Sequence, residues 1–204
     1  TGVALLALAT RAFGHGGRGA VPLAVGAGFV LGFGVFLSYG LVLLGVVALA
    51  VVVAGRSWAS LLWAVLGAVA VVVVFAVAGF WWFDGYAMVV ERYHQGIAAE
   101  RPYSYWVWAN LACLALATGP AVAAGVGRLR GWTPVVALAG AALVAVLAAD
   151  VSGLSKAEVE RIWLPFAVWL LPATALLPPR SRRWWLAAQA ATALAVNHLV
   201  MTVW

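Results

Sequence analysis

What this 204-residue chain lacks is charge. Only 9% of its residues are Asp, Glu, Lys or Arg and 66% are hydrophobic, where an ordinary soluble domain is about half apolar and about one quarter charged. That shortage excludes a soluble enzyme and a disordered tail, since disorder needs many charges and few large apolar side chains. Cysteine is nearly absent as well: Cys113 is the single one, so no internal disulfide can form and a secreted disulfide scaffold is excluded. Lying within an apolar run, Cys113 reads as a small buried hydrophobe. Of 12 basic residues Lys156 is the one lysine. No HExxH, no CxxC and no Ser/His/Asp set at a reasoned spacing occurs, so no metal site is expected. Gly14-His-Gly-Gly-Arg-Gly19 spells GxGxxG, but it joins two apolar runs with no strand before it, and the dinucleotide reading fails. No charged start and cleavage site marks a signal peptide. The chain opens at Thr1 inside an apolar run, and a fragment with upstream spans missing is expected.

What the chain has in abundance is long apolar runs. They cover Gly2 to Ala9, Ala20 to Ala54, Trp58 to Phe83, Tyr105 to Gly127, Trp132 to Ala149, Ile162 to Leu177 and Trp184 to Trp204. About 20 apolar residues cross a bilayer as a helix, with about 17 as a lower limit. As one helix the run from Ala20 to Ala54 would be roughly 50 Å long, too long for one crossing without steep tilt. The polar, aromatic triplet Ser38-Tyr39-Gly40 near its middle predicts a turn and two short crossings. The whole chain, 1–204, then reads as a single all-α transmembrane helical bundle of about eight spans, the first truncated.

This count segregates the charge. The breaks with Arg11, Arg18, Arg56, Arg128, Arg130, Arg180, Arg182 and Arg183 hold no acid and fall on one face. The other face receives all six acids, in the segments 84–104 and 150–161, together with Arg92, Arg101, Lys156 and Arg161. The positive-inside rule makes the arginine face cytoplasmic, so the acidic segments and the C-terminus are expected outside a plasma membrane. The net charge of +6 is thus a topology signal, and no nucleic-acid partner is expected. Trp81, Trp82, Tyr103, Tyr105, Trp106, Trp108 and Trp163 collect at the outer boundary and Trp58, Trp132, Trp184 and Trp185 at the inner one, where aromatic belts belong. Gly28-Phe-Val-Leu-Gly32 is a GxxxG pattern, suited to close helix packing or simply exposed to lipid.

The first outer segment, Phe83 to Gly96, fits an amphipathic helix lying in the interface. At about 100° per residue, Asp84, Met88, Glu91 and Gln95 share one stripe flanked by Arg92 and His94, while Tyr86, Val89, Val90, Tyr93 and Ile97 face the other way. Gly96 is placed to stop it. The stripe is either a solvated face or a lid presenting carboxylates and a guanidinium to a charged substrate. In the second segment Ser155-x-x-Glu158 matches a capping box, so a helix is expected to start there, with Glu158 spent on the cap. Lys156 and Glu160, four apart, are spaced to pair. Arg161 opens the next apolar run, and Pro165 removes the N–H that would bond its carbonyl. A fixed cation there suits a phosphate, of a substrate or of ordinary lipid. Asn197 and His198 sit near the outer end of the last run, for a structural hydrogen bond or for a general base.

The stretches Phe36-Leu-Ser-Tyr-Gly40, Glu91-Arg-Tyr-His-Gln-Gly96 leading into Arg101-Pro-Tyr103, and Leu154-Ser-Lys-Ala-Glu-Val-Glu-Arg-Ile-Trp-Leu-Pro-Phe166 give the chain a resemblance to the C-terminal part of actinobacterial GT-C-type integral membrane glycosyltransferases. Among these it is most similar to the mannosyltransferase and methylthioxylose-transferase-like proteins. The resemblance spans nearly the whole chain and includes no diagnostic catalytic motif. It implies sugar transfer from a polyprenyl-phosphate donor to a lipid or glycan acceptor on the extracytoplasmic side, with no cofactor beyond that donor. The catalytic acid of the family lies in a first outer loop that this chain, on the expectation above, begins after. The reaction needs a base for the acceptor hydroxyl and a cation for the leaving phosphate. Asp84 and Glu91 are the candidates for catalysis. Arg92, His94, Arg101, Lys156, Glu160, Arg161 and His198 are the candidates for substrate binding. A transporter or channel, or a non-catalytic membrane subunit packed through small-residue faces, is the alternative.

Overall fold

A computed structural model describes residues 1–17 and 19–199. The described secondary structure is helical throughout, in two compact units, Thr1–Arg101 and Pro102–Trp204. Ala20–Leu37, Trp58–Val77 and Pro134–Val151 are each long and apolar enough to cross a membrane. Tyr103–Thr118 and Pro120–Val126 make a fourth if that bent pair counts as one crossing. Gly2–Gly14, Tyr39–Gly55 and Leu164–Leu176 are apolar but shorter. The run beginning at Trp184 forms helix from Arg182 to Leu199, and its last five residues lie outside the described ones.

In the first unit, helices α1 (Gly2–Gly14), α2 (Ala20–Leu37), α3 (Leu44–Gly55) and α4 (Trp58–Val77) are packed by small residues. The expected turn is present: α2 ends at Ser38, whose backbone is extended, and a 3-10 turn over Tyr39–Leu43 leads into α3. The GxxxG pattern is a packing surface. A Cβ on Gly28 would overlap the Ala64 carbonyl, one on Gly32 would lie 2.9 Å from the Ala68 Cα, and one on Gly67 would overlap the Val25 carbonyl. Backbone therefore meets backbone along α2 and α4, the approach that small residues permit between membrane helices. Away from that seam α4 is exposed, with Val74 65% and Val77 85% accessible, as suits a lipid-facing helix.

The two ends of this unit differ. At one, Gly55 lies against Thr10, bringing the last turn of α1, which carries Arg11, to the end of α3, which Arg56 follows. At the other, after α2 has risen by about 27 Å, the Trp82 indole N–H donates to the Val35 carbonyl at 3.1 Å, one of the last-turn acceptors that a helix end leaves open. Trp82 stacks on Tyr86 and both meet Tyr39 edge-on. A Cβ on Gly85 would overlap the Tyr39 hydroxyl. This cluster seats α5 (Trp82–Gln95), the amphipathic helix that the stripe predicts. Gly96 stops it with extended backbone, so the residue type is not required by its angles.

In the second unit, α6 (Tyr103–Thr118) breaks at Gly119, φ +82°, and α7 (Pro120–Val126) leaves at 112° to it. The run from Tyr105 to Gly127 is therefore two helices where one crossing is expected. The break strands backbone groups, and Gln189 of α11 (Arg182–Leu199) satisfies them: its amide nitrogen donates to the Thr118 carbonyl at 3.0 Å and its oxygen accepts the Ala121 N–H at 3.1 Å. Helix α8 (Pro134–Val151) opens with Thr133 accepting from the Val136 N–H and with Pro at its first position, both of which favour a helix start. The run from Ile162 to Leu177 is not one helix either. Four-residue helices α9 (Val159–Ile162) and α10 (Leu164–Ala167) precede a 3-10 stretch over Leu171–Leu176. Pro165 and Pro172 interrupt the bonding ladder, and Trp163, Phe166, Leu170 and Ala173 are buried all the same.

Candidate functional site

The most constrained polar structure lies at the end of the second unit where α8 finishes and α6 begins. The Tyr103 hydroxyl donates to the Val151 carbonyl at 3.3 Å, joining those two ends. Two turns into α6, Asn110 is 1% exposed and faces Asp150, which is 2% exposed. The Asn110 amide nitrogen donates to Asp150 Oδ1 at 2.9 Å and to the Ser155 carbonyl at 2.7 Å, and its oxygen accepts the Ala157 N–H at 3.2 Å. Both protons and the oxygen of the amide are thus used. Ser155 Oγ donates to the Ala149 carbonyl at 3.3 Å and accepts from the Trp163 indole N–H at 3.2 Å. Ser152 Oγ donates to the same Ala149 carbonyl and accepts the Leu154 N–H.

This network holds the segment 152–158 in an otherwise unfavourable conformation. Gly153, Ala157 and Glu158 have φ of +68°, +71° and +56°. For the two residues with a Cβ the left-handed region costs about 1–2 kcal/mol each, and strain of that kind persists only where surrounding contacts over-determine the backbone. The capping box expected at Ser155 and Glu158 does not form. The serine hydroxyl is occupied by the buried indole, and Glu158 instead pairs with Arg161 as α9 starts at Val159. Lys156 precedes the helix, so the i,i+4 helical register expected between it and Glu160 does not exist. Trp163, expected at the membrane boundary, is fully buried because its N–H completes the network. The loop thus carries Lys156, Glu158, Glu160 and Arg161 on a rigid support, with Arg161 and Glu158 exposed and Lys156 and Glu160 half-buried.

The remaining candidates are placed as follows. In the first unit, Asp84 is in the first turn of α5, and Glu91, Arg92, His94 and Gln95 are exposed near its end. Gln95 links its neighbours, donating to Glu91 at 2.9 Å and accepting from Arg92 at 3.2 Å. His94 Nδ1 lies 2.8 Å from the carbonyl of Val90 on the same helix. Arg101 ends the unit, half-buried. In the second unit, exposed His198 bonds the Leu194 carbonyl of its own helix at 2.9 Å through Nδ1. Within a unit the structure thus links Glu91 with Arg92 through Gln95 and pairs Arg161 with Glu158, with Lys156 and Glu160 on the same stretch of chain. Among the described residues no group of three or more His, Cys, Asp and Glu is arranged to hold a metal ion.

Asn110, Asp150, Ser155 and Trp163 were not legible as a set. The available signal was a lone Asn inside an apolar run, since polar residues at membrane depth usually face the interior of a bundle. Among the described residues the fold is all-α, with three to four helices fit to cross a membrane. No family model, curated protein or solved structure matches it.

Proposed function

We propose that the chain is a multi-pass plasma-membrane protein with about eight crossings, that its fold is the C-terminal portion of a GT-C-like glycosyltransferase, and that it takes part in transferring a sugar from a polyprenyl-phosphate donor to a lipid or glycan acceptor outside the cell. The observation that carries this reading is the strained, internally bonded loop that ends in Lys156, Glu160 and Arg161. Fixed cations beside apolar helices suit a lipid-linked phosphate, and the guanidinium fork matches its oxygens. In the reaction an acceptor hydroxyl attacks the anomeric carbon, the bond from that carbon to the phosphate oxygen breaks, and the proton passes to a carboxylate. In the second unit Arg161 with Lys156 is proposed to meet the charge that develops on the departing phosphate, and Asp84 and Glu91 of the first unit are the carboxylates proposed from the sequence. Arg92, His94 and Arg101 in the first unit, and Glu160 and His198 in the second, are the proposed contacts with sugar and acceptor.

The arginine-only loops are cytoplasmic in this reading and the acidic segments outside. The contact of Gly55 with Thr10 at one end of the first unit, and of Tyr39 with Trp82 at the other, is in keeping with the proposed alternation. Cysteines introduced at Ser152 and Gly16, in a Cys113→Ala background, should label from opposite sides with an impermeant reagent; equal labelling overturns the orientation. For the activity, membranes expressing the intact gene are incubated with radiolabelled polyprenyl-phosphate sugar. Transfer that falls at least about tenfold in Arg161→Ala supports the reading, and absence of transfer by the unaltered protein overturns it. The break at Gly119 favours a second reading, a transporter, because discontinuous helices form substrate sites in such proteins. Here, however, Gln189 bonds the Thr118 carbonyl and the Ala121 N–H of that break, which leaves those two groups no substrate to meet.

A further inference from the structure

The turn of α7 away from α6 opens a groove of about 480 Å³ on the second unit, between α7, the 3-10 stretch over Leu171–Leu176 and the first turns of α11. This volume falls within the range of about 300–1,000 Å³ usual for small-molecule sites. Its walls are apolar, chiefly Val122, Leu171, Ala175 and Leu186, with Trp185 and Arg182 at the α11 side. The polar side chains of the lining are already committed: Thr174 bonds the Leu171 carbonyl and Gln189 bridges the break at Gly119. Arg182 is the one charged residue of the wall, and it makes no ion pair with any described residue. Arg180 and Arg183 adjoin it, and from Ile162 to Leu199 the sequence contains no acid.

We propose that this groove is a binding site for an anionic glycerophospholipid, whose acyl chain lies along the apolar walls while its phosphate meets Arg182. Charge complementarity selects the occupant. A soluble phosphate would leave the walls uncovered, and a zwitterionic lipid would bring its own cation toward Arg182, in a stretch whose sequence neighbours Arg180 and Arg183 are also cations. Basic pockets between membrane helices hold acidic head groups in this way. The site is independent of the transferase reading and of the loop at Lys156 and Arg161.

The test uses the full chain purified in a mild non-ionic detergent and titrated with phosphatidylglycerol or phosphatidylcholine under native mass spectrometry. One phosphatidylglycerol should bind at least about tenfold more tightly than phosphatidylcholine, Arg182→Gln should weaken it by about tenfold, and Arg130→Gln, in another basic loop, should leave it unchanged. Ala175→Phe, which fills the groove and keeps every charge, should abolish the site. As a readout that does not depend on that variant folding, phosphatidylglycerol with brominated acyl chains should quench tryptophan emission in the unaltered protein, by an amount that shrinks in Trp185→Phe. Equal losses in Arg182→Gln and Arg130→Gln would reduce the effect to general surface charge and overturn the proposal. Equal affinity for the two lipids, displacement by millimolar inorganic phosphate, or a polyprenyl phosphate binding more than tenfold better would overturn it as well.

Discussion

Replacing Asn110 by leucine tests whether the polar network supports the loop that presents Lys156 and Arg161. The substitution keeps the volume and removes three hydrogen bonds, to Asp150, to the Ser155 carbonyl and from the Ala157 N–H. A buried group left without its partner costs about 1–3 kcal/mol, more for a carboxyl group. Asp150 is 2% exposed, so its loss is set at about 2 kcal/mol; the two backbone groups sit on a loop that water reaches more easily, at about 1 kcal/mol each. The sum is about 4 kcal/mol, a large fraction of the stability of an ordinary domain. Unfolding is followed by tryptophan fluorescence in mixed micelles of rising anionic-detergent fraction. A cysteine at Ser152, in a Cys113→Ala background, reports the loop, and its labelling should accelerate in Asn110→Leu as the left-handed segment relaxes. The double variant Asn110→Leu with Asp150→Leu should lose less than the two single variants together, because replacing both partners by apolar groups leaves no orphan. A cost below about 1 kcal/mol with unchanged labelling would refute the reasoning, since the network would then be a consequence of the loop rather than its support.

Three further outcomes are expected. Gly28→Ala should destabilise the chain by about 3 kcal/mol, because its Cβ would collide with the backbone of Ala64, while Gly26→Ala, with open space at its Cβ, should be neutral in the same unfolding assay. Gln189→Leu should cost about 2 kcal/mol by orphaning the Thr118 carbonyl and the Ala121 N–H, and amide hydrogen exchange at Ala121 should rise with it. Arg56, at φ +49°, closes α3 with a left-handed cap whose following N–H, on Ser57, bonds Val52. Arg56→Gly should therefore gain about 1 kcal/mol and Arg56→Ala should gain nothing, with the two midpoints compared under one condition.

The features that the sequence made legible are those whose cause is local. Ser38-Tyr39-Gly40 stood out because a helix through it would overrun the bilayer, and α2 does end there. The stripe of Asp84, Met88, Glu91 and Gln95 is a periodicity, and α5 follows it to Gln95. What stayed hidden depends on partners far along the chain. The capping box at Ser155 was a sound local reading, yet the serine is taken by Trp163 and by a loop pinned from Asn110, 47 residues before Ala157. The bend at Gly119 was invisible for the same reason. A Gly-Pro pair in an apolar run permits a break, but a break in the bilayer needs its stranded groups satisfied, and the residue that does so is Gln189, 71 residues after Thr118.

These cases share one rule, which bears on where function lies. In a chain with so few polar side chains, one set deep in an apolar run is spent where the backbone departs from regular helix: Ser60 bonds the Ser57 carbonyl at the start of α4, Gln189 repairs Gly119, and Asn110 ties down the turn after α8. Repair of that kind is the reason a membrane helix bundle tolerates irregular backbone at all. It is also what separates Asn110 and Gln189 from Lys156, Glu160 and Arg161. The first two are consumed by the fold. The other three lie on or beside the strained segment, with Arg161 paired to Glu158, and backbone strain of that kind is the reason the proposed recognition is assigned to the loop from 152 to 161.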